Sequence, residues 1–240
     1  MLKGKTVFIT GGTGYIGSEL VRTFAGYGAR VIFSFNRGAD KAEKLTGEVA
    51  GSESVKMNMR DVKEITHVVE QLYARHEKID ILVNNAAISQ VMPLAMLDED
   101  DVDEVLAVNM KGLIFVTKAV VRGMIRNKSG VIINMGSIAG QRILDVPLTY
   151  AMTKAAVNGM TFSLAAELKR FNIRVNSVIP GLLAGGVARA VPDDLRDDFI
   201  KHCAVGRAGT AADIAELAAF LASDKASYIN GQNIASDGGI

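Results

Sequence analysis

In the run "YAMTK", Tyr150 and Lys154 stand four residues apart. If the run is helical, both side chains fall on one face, one turn apart. A phenol ordinarily releases its proton near pH ~10, too high for efficient proton transfer at neutral pH. A neighbouring ammonium favours the phenolate and lowers that value, which makes a tyrosine a workable acid–base group. Ser137 follows the apolar run "GVIINMG". Read as a strand, that run places the serine hydroxyl at its carboxyl end, where it can hydrogen-bond a carbonyl and stabilise charge developing on the oxygen. Asn109, in "AVNMKG", is a polar residue within an apolar helical stretch. Periodicity alone leaves a satisfied core amide equally open for it. His67, His76 and His202 show no ligand spacing, so metal catalysis is not supported.

A second kind of chemistry is written in "TGGTGYIG", residues 10–17. Gly11, Gly14 and Gly17 stand three apart, without a G-x-G-x-x-G, and Thr13, Tyr15 and Ile16 complete the loop. "VFIT" before it reads as a strand and "IGSELVRTFAGYG" after it as a helix. That junction suits a dinucleotide, because glycines admit a close backbone approach and a helix N-terminus offers free N–H groups to a pyrophosphate. A glycine turn needed only for helix–strand packing is the competing reading. The next strand ends "FSFNRG", with Phe35 where a ribose-binding carboxylate is common, followed by Asn36 and Arg37. A cation there can pair with a 2′-phosphate that a carboxylate would repel, so NADPH (NADP+) is favoured over NADH. An Arg37 that simply faces solvent is the alternative.

Short β-branched runs alternate with amphipathic segments along the whole chain. Residues 5–10, 30–35, 54–59, 80–85, 130–137 and 173–180 read as strands, nearly continuous in Val and Ile, as parallel strands buried on both faces are. Residues 15–27, 39–50, 61–76, 98–126 and 150–171 carry helical spacing. The alternation predicts an α/β fold: a single-domain, Rossmann-type doubly wound parallel sheet flanked by helices, spanning residues 1–240, with ligands at the carboxyl ends of its strands. No linker or composition break marks a second domain. A formal net charge of +1 gives no general attraction to nucleic acid or to an anionic membrane. The single cysteine, Cys203, excludes an internal disulfide. No apolar run approaches the ~20 residues that cross a bilayer, and the N-terminal run is too short for a signal h-region. A cytoplasmic protein is expected.

Taken in order, "TGGTGYIG", "NNAA" (84–87), Asn109, "GS" (136–137), "YAMTK", "PG" (180–181) and "INGQNIASDGG" (229–239) resemble the short-chain dehydrogenase/reductase family over essentially the full length. The resemblance implies a catalytic set of Asn109, Ser137, Tyr150 and Lys154. Tyr150 would protonate a ketone oxygen while NADPH delivers hydride, and Ser137 would orient the carbonyl. Lys154 would bind the nicotinamide ribose, and Asn109 would hold a water that refills the proton relay. It also implies cofactor contacts from Asn58, Met59, Asn85, Ala86, Pro180 and Gly181.

Two positions depart from the family pattern. The glycine spacing is that of the extended branch, with Tyr15 where the short branch has a glycine. A chain of 240 residues nevertheless leaves no room for that branch's substrate domain, which assigns it to the short branch. Gly185 stands where a threonine often binds the carboxamide, leaving the backbone of Ile179 and Leu182 to serve, and the Gly185–Gly186 pair suggests a mobile lid or a plain flexible loop.

"NMRDVKEI" (58–65), "AAELKRFNIRVNSVIPG" (165–181) and "VGRAGTAADIAELAAFLASDKASYINGQ" (205–232) are most similar to 3-oxoacyl-(acyl-carrier-protein) reductases. The substrate implied is a small-molecule or carrier-bound acyl ketone. Other alcohols, sugars and cyclic ketones remain open, as does a non-catalytic cofactor-binding subunit. Acyl carrier protein would dock near Lys128, Lys169 and Arg170, unless these form only a solvated face. The apolar breadth of 98–126 and 150–171 fits the family's homotetramer, or a hetero-oligomer, as well as burial within one chain.

Overall fold

The computed structural model describes the backbone of residues 1–240 and every side chain except that of Ala190. Seven parallel strands form one sheet in the order β3-β2-β1-β4-β5-β6-β7. The strands are β1 (Thr6–Ile9), β2 (Arg30–Phe35), β3 (Glu53–Lys56), β4 (Ile81–Asn84), β5 (Gly130–Met135), β6 (Ile173–Pro180) and β7 (Asn233–Ser236). Chain order runs outward from β1 to β3 and then restarts at β4 on the other side of β1. The β1–β4 boundary is therefore the switch point where open α/β sheets leave a crevice.

Alternate strand residues face two separate cores. Val7, Ile9, Val31, Phe33, Val83 and Met135 pack under α1 (Tyr15–Gly26), α2 (Ala39–Glu48) and α8 (Ala211–Ala222). Phe8, Ile32, Leu82, Ile132 and Val175 pack under α3 (Val62–Arg75), α5 (Leu113–Asn127) and α6 (Leu148–Leu168). Burial on both faces is why these strands lack the alternation of a half-exposed sheet. α8 begins with a capping box in which the Thr210 side chain accepts from Asp213 N while the Asp213 side chain accepts from Thr210 N.

The expected helix over 98–126 is interrupted. α4 (Glu99–Leu106) passes into a π-helical segment, Ala107–Gly112, before α5 begins. A π turn shifts the register of a helix without ending it, so apolar periodicity averaged over the stretch does not reveal it. The segment lies against the turn after β3: a Cβ on Gly112 would overlap the carbonyl of Met59. The helix expected at 150–171 starts at Leu148 and closes in a 3₁₀ turn, Lys169–Phe171. Residues 57–59, expected in a strand, lie beyond β3. α7 (Asp193–His202) and α8 are helices that the spacing of apolar residues had not assigned.

Inside the second core is a polar thread. Asn84 Nδ2 donates to Asn134 Oδ1 and to Thr117 Oγ1, each at 2.9 Å, and Asn134 Nδ2 donates to Thr161 Oγ1 at 2.9 Å. It ties β4 and β5 to α5, which continues from the π segment that carries Asn109, and to α6, which carries Tyr150. Asn134 is fully buried. Asn134→Ala should therefore strand a donor on Asn84 and lower stability by about 2–3 kcal/mol in urea unfolding.

Candidate active site

The carboxyl ends of β1, β4, β5 and β6 carry the glycine loop, Asn85 and Ala86, Ser137, and Pro180 and Gly181, while Asn109, Tyr150 and Lys154 come from the π segment and α6. Ser137 lies two residues beyond β5, in extended conformation, and its Oγ accepts from Ala139 N at 3.1 Å to cap a short 3₁₀ turn. That turn, Ile138–Gly140, rests directly on α6: a Cβ on Gly140 would overlap the backbone of Lys154 and Ala155. The close approach places Ser137 beside the part of α6 that carries Tyr150 and Lys154. Burial pushes the phenol above its ordinary value, and the hydrogen bond from Ser137 offsets part of the shift.

Lys154 sits one turn further along α6, with Nζ 5.6 Å from the centre of the Tyr150 ring. It is 6% exposed and donates to the Met135 carbonyl at 2.7 Å. Burial pushes its pKa down to about 8. The expectation that the ammonium would dominate the Tyr150 pKa is thus not met: both groups are governed by desolvation, in opposite directions. An ammonium has three donors, so two of those on Lys154 remain for a ligand.

Asn109 lies in the π segment and is 3% exposed. Its Oδ1 accepts from Ile88 N at 2.9 Å, and its Nδ2 donates to Ile88 O at 2.9 Å and to Thr153 Oγ1 at 3.2 Å. Thr153 in turn donates to the Tyr150 carbonyl at 3.0 Å. The asparagine therefore clamps the segment after β4 to α6 at Thr153. Thr153 is a member of this set that type and spacing did not flag. It lies inside "YAMTK", and its short hydroxyl on the buried side of the helix was the available signal.

The glycine loop is closed on one side and open on the other. Gly11 has φ +69°, and Gly17 faces the Gly11 carbonyl so closely that no Cβ fits. At Gly14 a Cβ would meet only the Gly11 carbonyl, at 3.4 Å, which leaves open space in front of the loop. Gly14 caps α1 without a side-chain hydrogen bond, and the first turn carries no acidic residue. The uncapped N–H groups of Tyr15 and Ile16 therefore face a cradle fit for a pyrophosphate. Thr13 stands at its mouth, half-buried. Asn85 Nδ2 holds the carbonyls of Thr10 and Gly11 at 2.9 and 3.1 Å, while Thr10 Oγ1 accepts from Asn85 N and Ala86 N at 3.0 Å each.

Asn36 and Arg37 are exposed just beyond β2, and Arg37 makes no ion pair among the described residues. Asn58 is half-buried, and its Oδ1 accepts from Arg60 N at 3.1 Å. The Met59 side chain lies in the core, so only its backbone can face a ligand. Pro180 ends β6, and Gly181 N donates to Ser236 O at 3.0 Å, tying the loop after β6 to β7.

Lys128, Lys169 and Arg170 do not join this site. They are exposed and mutually close, because β5 and β6, which they precede, are paired at Gly130 and Ile173. That pairing is the amino-terminal edge of the sheet, and the length of β5, roughly 20 Å at ~3.3 Å per residue, separates it from Ser137.

An anion cradle at the switch point, facing a tyrosine, a buried lysine and a serine, defines a nucleotide-dependent oxidoreductase. Comparison with known proteins narrows this. Residues 13–240 match a family model described as enoyl-(acyl carrier protein) reductase. The chain is 37% identical to the 3-oxoacyl-[acyl-carrier-protein] reductase FabG of Thermotoga maritima, covering 100% of this chain and 98% of that one. It is 36% identical to oxidoreductase UcpA of Salmonella typhimurium, over 99% and 95% of the two chains. Among solved structures, a short-chain dehydrogenase/reductase from Serratia marcescens superposes with a TM-score of 0.92 at 32% identity, covering 99% and 98%. A gluconate 5-dehydrogenase from Burkholderia cenocepacia, in complex with NADP and tartrate, gives 0.92 at 31%, covering 99% and 95%. The chain belongs to the short-chain dehydrogenase/reductase family and is an oxidoreductase that uses a nicotinamide cofactor. Among the described residues no helix is long and apolar enough to cross a membrane.

The buried Lys154 makes a pH signature. Below about pH 8 it is protonated folded and unfolded alike, and the penalty of burying its charge is present in full. Between about 8 and its ordinary 10.5 the unfolded chain binds more protons, so stability rises with pH. Lys154→Met should abolish that rise. Urea unfolding of ligand-free protein at about pH 7 and pH 9.5 should show wild type gaining roughly 1–2 kcal/mol relative to the variant.

Proposed function

We propose that residues 1–240 act as one cytoplasmic domain that reduces a ketone to a secondary alcohol with NADPH, the ketone being a 3-oxoacyl thioester carried by acyl carrier protein. The observation that carries the reading is geometric: the turn that follows Ser137 packs on α6 at Lys154 and Ala155, and buried Lys154 holds its Nζ 5.6 Å from the centre of the Tyr150 ring. When bound, the cofactor would supply the hydride. Gly11, Thr13, Gly14, Tyr15, Ile16 and Gly17 would hold its pyrophosphate, Arg37 and Asn36 would take the 2′-phosphate, Asn58, Met59, Asn85 and Ala86 would line the adenosine side, and Pro180 and Gly181 would border the nicotinamide.

Ser137 donates a hydrogen bond to the substrate carbonyl and aligns it with Tyr150. The Tyr150 phenol gives its proton to the carbonyl oxygen as the alkoxide forms, and its high pKa keeps that proton available at neutral pH. Lys154, charged below about pH 8, stabilises the phenolate left behind and spends its remaining donors on the ribose hydroxyls. Asn109 positions Ile88 and Thr153. One lone pair of its Oδ1 is left for the water that recharges the relay.

The acyl assignment is supported by the names of the relatives and by the rim of the site. Val91, Leu94, Met96, Ile143, Leu144 and Val187 are all exposed. They lie on the three segments that leave β4, β5 and β6, as a surface that accepts an apolar chain requires. The gluconate dehydrogenase likeness favours a second reading, oxidation or reduction of a sugar or another alcohol. Exposed Ile114 on α5 and Met152 and Phe162 on α6 fit a homotetramer, with a hetero-oligomer as the other arrangement. A carrier protein bound at Lys128, Lys169 and Arg170 would then serve the site of another subunit, since the same chain's site lies at the opposite edge.

Absorbance of NADPH and of NADH, followed separately with a short 3-oxoacyl thioester, tests the reading; turnover only with sugars or cyclic ketones would replace the substrate. Tyr150→Phe should lower kcat by a factor on the order of 10²–10⁴ and leave NADPH affinity nearly intact. Arg37→Ala should weaken NADPH binding about tenfold and spare NADH. An equal loss for both cofactors would remove Arg37 from the phosphate site.

A further inference from the structure

The two departures from the family pattern touch each other. The Tyr15 ring lies against Gly185 and Gly186: a Cβ on Gly185 would come within 2.7 Å of Tyr15 Cε2 and 2.9 Å of Cδ2 and Cζ, and one on Gly186 within 3.2 Å of Tyr15 Cβ. Gly185 has an extended backbone, φ −159°, that any residue adopts, so the ring and not the backbone conformation excludes a side chain there. Gly186, with φ +72°, is in the region that favours glycine.

The contact joins distant parts of the sheet. Tyr15 opens α1 after β1, and Gly185 follows β6, with β4 and β5 between them. Three strand spacings of ~4.8 Å separate β1 from β6, roughly 14 Å. The ring thus completes a strap across the carboxyl ends of β4 and β5, where the cofactor cradle meets Ser137. The root of the strap is pinned: Ala184 N donates to Gly209 O at 2.8 Å, Gly209 N donates to Leu182 O at 2.9 Å, and Leu183 is buried. Beyond the glycines Val187 is 52% exposed, and α7 has no buried residue. A segment so weakly anchored opens locally at small cost unless something fastens it near its root.

We propose that Tyr15 is a positioning residue that fastens the 184–202 segment to the cofactor loop, so that the bound dinucleotide is retained beneath the strap and leaves only when the ring parts from Gly185–Gly186. The Tyr15 hydroxyl has no hydrogen-bond partner among the described residues, and the fastening is ring-on-backbone packing. The inference rests on nicotinamide cofactor binding and not on the substrate assigned above.

The test compares wild type with Tyr15→Ala, Tyr15→Phe, Gly185→Thr and the double variant Tyr15→Gly/Gly185→Thr. Ligand-free protein is digested with trypsin, following cleavage at the exposed Arg189. NADPH release is followed by stopped-flow fluorescence. Tyr15→Ala and Gly185→Thr should each be cut at least tenfold faster and release NADPH at least tenfold faster, with urea midpoints close to wild type. Tyr15→Phe should keep the slow digestion, because it keeps the ring. In the double variant, emptying the ring's space makes room for the threonine and restores slow cleavage relative to Gly185→Thr. Unchanged digestion in Tyr15→Ala, or Gly185→Thr tolerated with the ring in place, overturns the proposal. If either single variant does not fold, the other decides. Digestion differences seen without NADPH binding would sustain the strap and sink the cofactor choice instead.

Discussion

Between β1 and β4 the chain leaves the sheet toward opposite sides, and one hydroxyl and one amide set the width of the gap. Thr10 Oγ1 takes the N–H groups of Asn85 and Ala86, while the Asn85 amide takes the carbonyls of Thr10 and Gly11. Each of these backbone groups lies past the end of its strand, where the ladder no longer satisfies it. Closing the bonds side chain to backbone fixes the Gly11 carbonyl. Gly17 must be a glycine to pass that carbonyl, and through Gly17 the start of α1 is aimed at the crevice. The anion cradle is a consequence of this knot.

The proton-handling side is built by the same means one layer away. Asn109 pins Ile88 and Thr153, Thr153 pins the first turn of α6, and Lys154 is drawn under the sheet edge by the Met135 carbonyl. Deeper still, Asn84 and Asn134 link the strands that end at the two halves of the site. Buried polar threads of this kind add little net stability when satisfied, yet leaving one partner unpaired is costly. Their value here is registry. Helices packed only by Val, Ile and Leu could slide by small amounts without loss, and a phenol aligned with a serine hydroxyl tolerates no such slide.

The strands and their parallel arrangement were readable because burial on both faces leaves unbroken runs such as "VFIT" and "ILVN", a pattern that half-exposed strands do not show. Tyr150, Lys154 and Ser137 were readable because their chemistry is local: a helical turn between two residues, a strand end before the third. What escaped was whatever depends on contacts distant in sequence. The π segment packs at Gly112 against the carbonyl of Met59, more than fifty positions away in sequence. Lys128, Lys169 and Arg170 read as a carrier-protein patch with no place relative to the site; which end of a strand a basic cluster flanks follows from strand direction, and these flank the amino ends. The ordinary pKa argument for Tyr150 considered charge and left out burial, which is the largest influence on the phenol.

Tyr15 and Gly185 show the same limit from another direction. Each by itself looks like a defect: a bulky ring where the loop wants a glycine, and a glycine where the loop wants a hydroxyl. In three dimensions they are one substitution made in two places, a side chain removed on one loop to admit a ring from the other. The exchange trades a directional hydrogen bond for packing against bare backbone. Packing of that kind is indifferent to which face of a ligand lies below it, whereas a threonine hydroxyl would orient a particular group. On the proposal made for Tyr15, the loop's hold on the cofactor is separated from its recognition: orientation would rest on Lys154 and the backbone that ends β6, and the ring would set how long the complex lasts.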